Sequence, residues 1–467
     1  MTYTLTVYGG VNTIGGVHVL LSNGKKGFLF DLGVTWAWGL FGGRIVPDAE
    51  RALQHYLLTR LAPPLPSVFK KDLVQHIPAK VLENLWKVDE LPELESITVF
   101  VSHIHQDHMA LLPYVNKETK VYMHRDAHSV YKAVAESGEY AYTEAEILPL
   151  DHLDSVQLDD DFSFQLVDVD HDTPGASGLL ITLGEYNIAF TGDWRLHGRH
   201  PERMERFAQL CSETNTDILL TEGTSLRKET YFTEPVMRQE KNVVKEFGKM
   251  SEGFDLLYVN ILARNVERVA DFIVKAKELG RKLVMDERTA LLWKTATEEG
   301  ISTLPSDHPA RMNEKDVICL LDLQVKSTDL VYNTVTMEDI WLHKNQYIVF
   351  LTEEQTPLLS EFETLGDSSG TSLYFHADGN PLNKEDPILH RWLKLYNIHY
   401  HYYGTGGHAS PEDISQLIET VSPKVAIPLH SLNPSLVNTK NAVKYCPSYG
   451  EKISIQALLG KQSETLV

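Results

Sequence analysis

Val99-Phe100-Val101-Ser102-His103-Ile104-His105-Gln106-Asp107-His108 carries an apolar strand into a loop that holds three imidazoles and a carboxylate. His103 and His105 stand two apart. In extended backbone they project to the same side and can share one metal ion. Asp107 and His108 follow where the chain turns into the helical text Met109–Val115, which aims them at a neighbouring position. Nitrogen and oxygen donors in this pattern suit two divalent ions a few ångströms apart, zinc first, with manganese as the other candidate.

Outward from this stretch, the N-terminal text reads as short strands at Tyr3–Val7, Val17–Leu21 and Gly27–Asp31, broken by glycine pairs. Residues 34–90 read as an insertion that packs over this first domain. It opens on an aromatic piece (Trp36, Trp38, Phe41) and continues into helical patterns at Asp48–Leu61 and Pro78–Lys87. Strand text resumes at Ile97–Val101 and runs to Tyr186–Thr191. After Leu220 strands and helices alternate: Asp255–Ile261, Val266–Leu279, Lys282–Met285, Thr289–Glu299. Such alternation implies a parallel α/β sheet. Past Trp392 the text returns to strand, then a helix at Pro411–Thr420 and a strand at Val425–Leu429. Lys461–Val467 is polar and reads as a frayed end.

The run H-x-H-x-D-H resembles the signature of the metallo-β-lactamase superfamily, and the likeness continues along the chain. His171, in Val169-Asp170-His171-Asp172-Thr173-Pro174, and Asp193, in Ala189-Phe190-Thr191-Gly192-Asp193, match the family's next two ligands. The α/β segment after Asp193 is similar to that of the β-CASP branch, which includes ribonuclease J and the messenger RNA 3′-end cleavage factor. Glu222, in Leu220-Thr221-Glu222-Gly223, resembles the first motif of that branch. His408, in Gly404-Thr405-Gly406-Gly407-His408, and His430, in Ile427-Pro428-Leu429-His430, resemble the second and third.

The resemblance implies a metallo-β-lactamase αββα sandwich with an inserted α/β domain of the β-CASP kind. Residues 1–221 form the first part, 222–395 the insertion, and 396–467 the completing part. It also implies two metal positions. His103, His105 and His171 hold one; Asp107, His108 and His430 hold the other; Asp193 bridges them. His408 then serves as proton donor with Glu222 orienting it, alongside Asp107 as a catalytic group. Arg264, Asn265 and Arg268 stand at a strand-to-helix junction where the family holds phosphate, with Arg264 in place of the family's serine, and are expected to cradle an anion. His197 and His200 read as solvated loop residues, and His399 and His401 as structural.

The implied activity is metal-dependent phosphodiester hydrolysis on RNA, endonucleolytic or from the 5′ end. Composition pulls against it. Asp and Glu number 64 against 43 Lys and Arg, a formal charge of −21, and such a field repels polyanions. A small-molecule phosphodiesterase or esterase and a non-catalytic scaffold are the alternatives. Three scattered cysteines and the lack of a signal or spanning segment point to a reducing, cytoplasmic setting with no membrane partner. Self-association into a homo-oligomer is compatible with the sequence.

Overall fold

The structure, a computed structural model, describes residues 2–35, 40, 45–227, 238–323, 330–365, 370–381 and 383–460. The aromatic piece at Trp36, Trp38 and Phe41 and the tail Lys461–Val467 lie outside these residues.

Three seven-stranded sheets organise the chain. The first runs, in spatial order, Glu451–Ser454, Thr4–Gly9, His18–Ser22, Lys26–Phe30, Ser96–Val101, Lys120–His124, Glu146–Leu150. The second runs Val443–Lys444, Val425–Leu429, Ile218–Glu222, Tyr186–Phe190, Ser177–Leu183, Phe162–Asp168, Ser155–Asp159. Their inner faces meet through aromatic and branched side chains, with Phe28 stacked on Phe164 at 4.6 Å. Strand alternation decides which residues go there: Phe100 joins this core, while Val99 and Val101 point to the opposite face.

That opposite face is covered by helices, including Arg125–Glu136, and by the 45–90 segment, whose Leu53, Leu57, Phe69, Leu82 and Trp86 are buried against it. On the far side of the second sheet, helices Pro201–Glu213 and Pro411–Val421 bury Phe207, Ala208, Ile414 and Ile418. The layers are therefore helix, sheet, sheet, helix. Strands buried on both faces need continuous apolar text, which is why Val99-Phe100-Val101 and Ile218-Leu219-Leu220 carry no polar residue.

The third sheet is wholly parallel: Asn333–Val335, Ile318–Leu321, Lys282–Met285, Tyr347–Phe350, Leu256–Ile261, Ser372–Ala377, His399–Tyr402. It shares no strand with the other two, as expected for an inserted domain. One boundary differs from the sequence reading. His399–Tyr402 pairs with Ser372–Ala377, so the inserted sheet runs past residue 395 to Tyr402. The short tyrosine- and histidine-rich strand lacks the long apolar run that marks its neighbours. The inserted domain docks on the first through Glu287–Glu299 against Arg125–Glu136, sealed by hydrogen bonds from Thr295 to Glu136 and Ser302 to Asp126.

Candidate metal centre

The strand Ser96–Val101 delivers the 103–108 loop to the edge shared by both inner sheets and the inserted domain. His105 is the last extended residue before the helical turn Gln106–Met109. His103 and His105 therefore face one way, and Asp107 and His108 another. His171 arrives at the end of Phe162–Asp168, Asp193 just after Tyr186–Phe190, and His430 just after Val425–Leu429. The donor atoms of His103, His105 and His171 lie within 4.8 Å of one another, as do those of Asp107, His108 and His430. Asp193 Oδ2 stands between the two groups, 3.2 Å from His108 Nε2, 3.5 Å from His430 Nε2 and 3.9 Å from His103 Nε2.

Several of these atoms are buried without a hydrogen-bond partner: His103 Nε2, His105 Nε2, His108 Nε2 and His408 Nδ1. Orphaned buried nitrogens carry a desolvation cost that ordinary packing does not leave in place. Their convergence with two carboxylates fits divalent cations. The opposite ring atoms are engaged. His108 Nδ1 donates to Asp31 Oδ2 at 2.8 Å, and Asp31 also accepts from the Ser102 amide and hydroxyl. His103 Nδ1 donates to Ser102 Oγ, Thr224 Oγ1 lies 2.6 Å from His430 Nδ1, and His171 Nδ1 donates to the Gly407 carbonyl. Such partners orient each ring and turn its other nitrogen into the cluster, where His171 Nε2 lies 3.2 Å from His105 Nδ1 and His430 Nε2 3.0 Å from Asp107 Oδ2.

The electrostatics point the same way. Burial alone would raise the Asp193 carboxyl, but the His430 and His108 imidazoles outweigh it and hold it well below the usual range. Burial would lower His108, yet Asp193, Asp107 and Asp31 overcome it and hold the ring well above its ordinary value. Three carboxylates at one spot call for positive charge. Backbone strain collects here too: Asp31 (φ 62°) and His430 (φ 51°) both sit in the left-handed region that β-carbon-bearing residues avoid. Gly33 allows the closest approach, because a Cβ there would fall 1.6 Å from the Asp107 carbonyl oxygen.

Addition of zinc or manganese to metal-free protein is therefore expected to raise its melting temperature. An ion at a thousand times its dissociation constant contributes about 4 kcal/mol. Thermal scans with metal and with excess chelator check this, and superimposable scans would remove the metal reading.

His408 sits beside this group with its Nδ1 3.4 Å from Glu222 Oε2 and 3.6 Å from Asp193 Oδ2. Burial works against its charged form, but the Glu222 carboxylate prevails and the ring is raised to about 9. Glu222 also accepts from the Thr224 and Ala409 amides, so it fixes the backbone on both sides of the cluster.

The proposed anion cradle is not open. Arg268 is 1% exposed and spends its donors on Glu240, the Ala377 and Thr405 carbonyls and the Thr405 hydroxyl. Asn265 is buried and caps its own helix through the Arg268 amide. Arg264 reaches across to the Ile104 carbonyl and to Glu139. Arg268 thus ties the inserted domain to the 404–408 loop through Thr405, and Asn265 serves its own helix. His197 is likewise no solvated residue. It is buried and donates to the Gly406 carbonyl at 2.8 Å, while His200 is half-buried against Glu267. His399 and His401 stay away from the centre, His401 facing Glu246 at 3.4 Å. Asp31, Ser102, Thr224 and Asp172 were not singled out from sequence. Asp31 ends an apolar strand and could have been noticed for that; the others carry no local signal.

The family model described as the beta-lactamase superfamily domain matches residues 65–268. Ribonuclease J of Thermus thermophilus is 22% identical over 364 residues, covering 71% of this chain and 57% of the relative. Ribonuclease J of Mycoplasma pneumoniae is 21% identical over 409 residues, 81% of this chain and 63% of that protein. The archaeal ribonuclease J of Pyrococcus abyssi is 20% identical over 351 residues, 72% and 74% respectively. The matched region thus spans under two thirds of the length of the bacterial relatives. Among solved structures, a protein of unknown function from Enterococcus faecalis V583 shares the fold with a TM-score of 0.78 at 22% identity, over 97% of this chain and 100% of that one. Among the described residues, no helix is long and apolar enough to cross a membrane.

Proposed function

Because the chain has the metallo-β-lactamase fold with an inserted α/β domain and has ribonuclease J of the β-CASP branch as its relatives, we propose that it is a two-metal phosphodiesterase acting on RNA. The observation that carries this reading is the convergence of the seven donors at one place, with His408 and Glu222 beside them. His103, His105 and His171 would hold one ion, Asp107, His108 and His430 the other, and Asp193 both. When bound, the ions supply Lewis-acid charge for a phosphoryl group and a nucleophilic water at neutral pH.

The chain's own residues do the rest. Asp31, Ser102 and Thr224 hold three of the imidazoles in orientation, so the site is organised before substrate arrives. Glu222 and Asp193 both face His408 Nδ1, which leaves Nε2 as the nitrogen to protonate the departing 3′- or 5′-oxygen of the cleaved ester. Glu222 precedes the inserted sheet in the chain and His408 follows it.

One observation favours a second reading. A net charge of −21 suits a small phosphodiester better than a long polyanion. Incubating metal-loaded protein with end-labelled RNA and with a nitrophenyl phosphodiester decides between them. RNA should be cleaved, the cleavage should stop with chelator, and it should return with added divalent metal. Turnover of the ester with intact RNA would sink the ribonuclease reading and leave the small-molecule one. A cytoplasmic setting belongs to the same proposal and is supported by three cysteines that pair with nothing, two of them buried.

A further inference from the structure

The backbone of the 102–108 loop is held from two domains. Amides of the first domain take several of its carbonyls: Ser177 donates to Ser102, Val34 to Gln106, Gly16 to Asp107 and Leu32 to His108. The Ile104 carbonyl, between His103 and His105, has a different partner. Arg264 of the inserted domain donates to it from Nη1 at 3.2 Å, across 160 positions of sequence. A peptide unit is planar, so fixing its oxygen fixes the plane, and with it the direction in which the His105 side chain leaves the backbone.

Arg264 has the shape for this reach. It stands in the turn between the strand Leu256–Ile261 and the helix Val266–Glu278, where the Asn265 amide closes back on the Leu262 carbonyl at 2.9 Å. The residue is buried, and its planar fork serves two acceptors at once. Nη1 takes the Ile104 carbonyl while Nη2 pairs with the Glu139 carboxylate, and the guanidinium carbon lies 5.4 Å over the Tyr140 ring. All three partners belong to the first domain, and Glu139 balances the buried charge. A serine, which the family carries at this place, ends one atom beyond its first carbon. It would leave the Ile104 carbonyl without this donor, and an unmet buried carbonyl is costly.

We propose that Arg264 is a positioning residue of the metal centre: through it the docked inserted domain sets the His103–Ile104–His105 backbone and raises the affinity of the His103–His105–His171 position for its ion. The inference rests on the two-metal reading above. Coupling of this kind is reciprocal. An ion that binds better when the domains are docked must itself favour docking. Metal therefore tightens the inserted domain onto the first, and the domain boundary in turn tightens the hold on metal.

The test reads metal affinity and domain opening rather than turnover. Wild type, Arg264→Ala, Arg264→Lys and Thr295→Val are titrated with zinc against a chromogenic chelator, and amide hydrogen exchange is followed with and without zinc. Thr295 bonds Glu136 across the same boundary, between two helices and not at the loop, so its variant weakens docking alone. Arg264→Ala is expected to lose about 10–100-fold in affinity for one of the two ions, the range for groups that orient ligands. Arg264→Lys, with one ammonium for two acceptors, should lose less, and Thr295→Val should match wild type. Zinc should slow exchange along Val266–Glu278 in wild type and not in Arg264→Ala. Wild-type affinity in Arg264→Ala would overturn the proposal. So would an equal loss in Thr295→Val, because docking in general would then set the site. Should Arg264→Ala not fold, the lysine variant decides: a partial loss supports the proposal, and unchanged affinity overturns it. If wild type itself binds no zinc, it is the two-metal reading that fails, and the two failures are told apart by that single control.

Discussion

Replacing His408 by alanine is expected to slow RNA cleavage by about 10²–10⁴-fold while both metal ions stay bound. The geometry behind this is the placement of His408 Nδ1 against Glu222 and Asp193, at 3.4 and 3.6 Å, with three histidines on one side of the bridge and Asp107 with two histidines on the other already available. A nitrophenyl phosphodiester, whose leaving group needs no proton, should lose much less. His430→Ala should behave differently. Its Nε2 lies 3.0 Å from Asp107 Oδ2 and 3.5 Å from Asp193, so its removal should empty the second position and weaken activity on both substrates alike. Metal content and turnover of the two variants are the measurements. The donor atoms of Asp193, Glu222, His408 and His430 also fall within 4.8 Å of one another. Equal metal loss in the two variants would therefore make His408 a ligand, and its role as proton donor would be abandoned.

Glu240→Ala is expected to destabilise the protein by about 3–5 kcal/mol, the usual cost of leaving buried charges unpaired. Glu240 has a side chain 0% exposed and receives Arg268 through Nε and Nη2 at 2.7 and 2.6 Å, Arg195 at 3.0 Å and the Thr405 hydroxyl at 2.7 Å. Burial alone would raise its carboxyl, but Arg268 and Arg195 hold it well below the usual range. Without it two guanidinium groups remain in the interior, each with only a longer pair: Arg195 to Asp170 at 3.7 Å and Arg268 to Asp378 at 3.7 Å. Urea unfolding of the metal-free variant reads the loss, and a change below about 1 kcal/mol, the range of exposed pairs, would show that the cluster contributes little. The same arginines hold the Thr405 and Gly406 carbonyls, so the loop bearing His408 should loosen as the protein weakens.

These two predictions draw on residues that the sequence reveals unequally. His103, His105, Asp107 and His108 are visible from their spacing after an apolar strand, whereas His171, Asp193, His408 and His430 become visible only through the family resemblance. Arg268 was visible only as part of a charged run, because its partner Glu240 is 28 positions earlier and on another element. A run of charge at a helix start reads as an anion site or a wet face, and the observed outcome, a buried clasp, needs tertiary knowledge. His197 was misread for the same reason: its acceptor, the Gly406 carbonyl, is a backbone atom 209 positions away. The fold was legible where periodicity is strong, in the parallel α/β insertion and the flanking strands. It was less legible at Tyr402, where a four-residue strand of His and Tyr closes the inserted sheet.

The order of the ligands along the chain has a consequence for synthesis. His103 leaves the ribosome early, but His430 follows only after the whole parallel sheet from Leu256 to Tyr402 has been made. The strand Val425–Leu429 that presents it must then slot in beside Ile218–Glu222, and Glu451–Ser454 must pair with Thr4–Gly9 at the opposite end of the chain. Closing such long loops is slow, and domains fold as units while the chain emerges. A nascent chain therefore carries the first three imidazoles long before it can complete the second position or position a proton donor. On the reading of this protein as a ribonuclease, it remains inert toward the message being translated until its last quarter has been released.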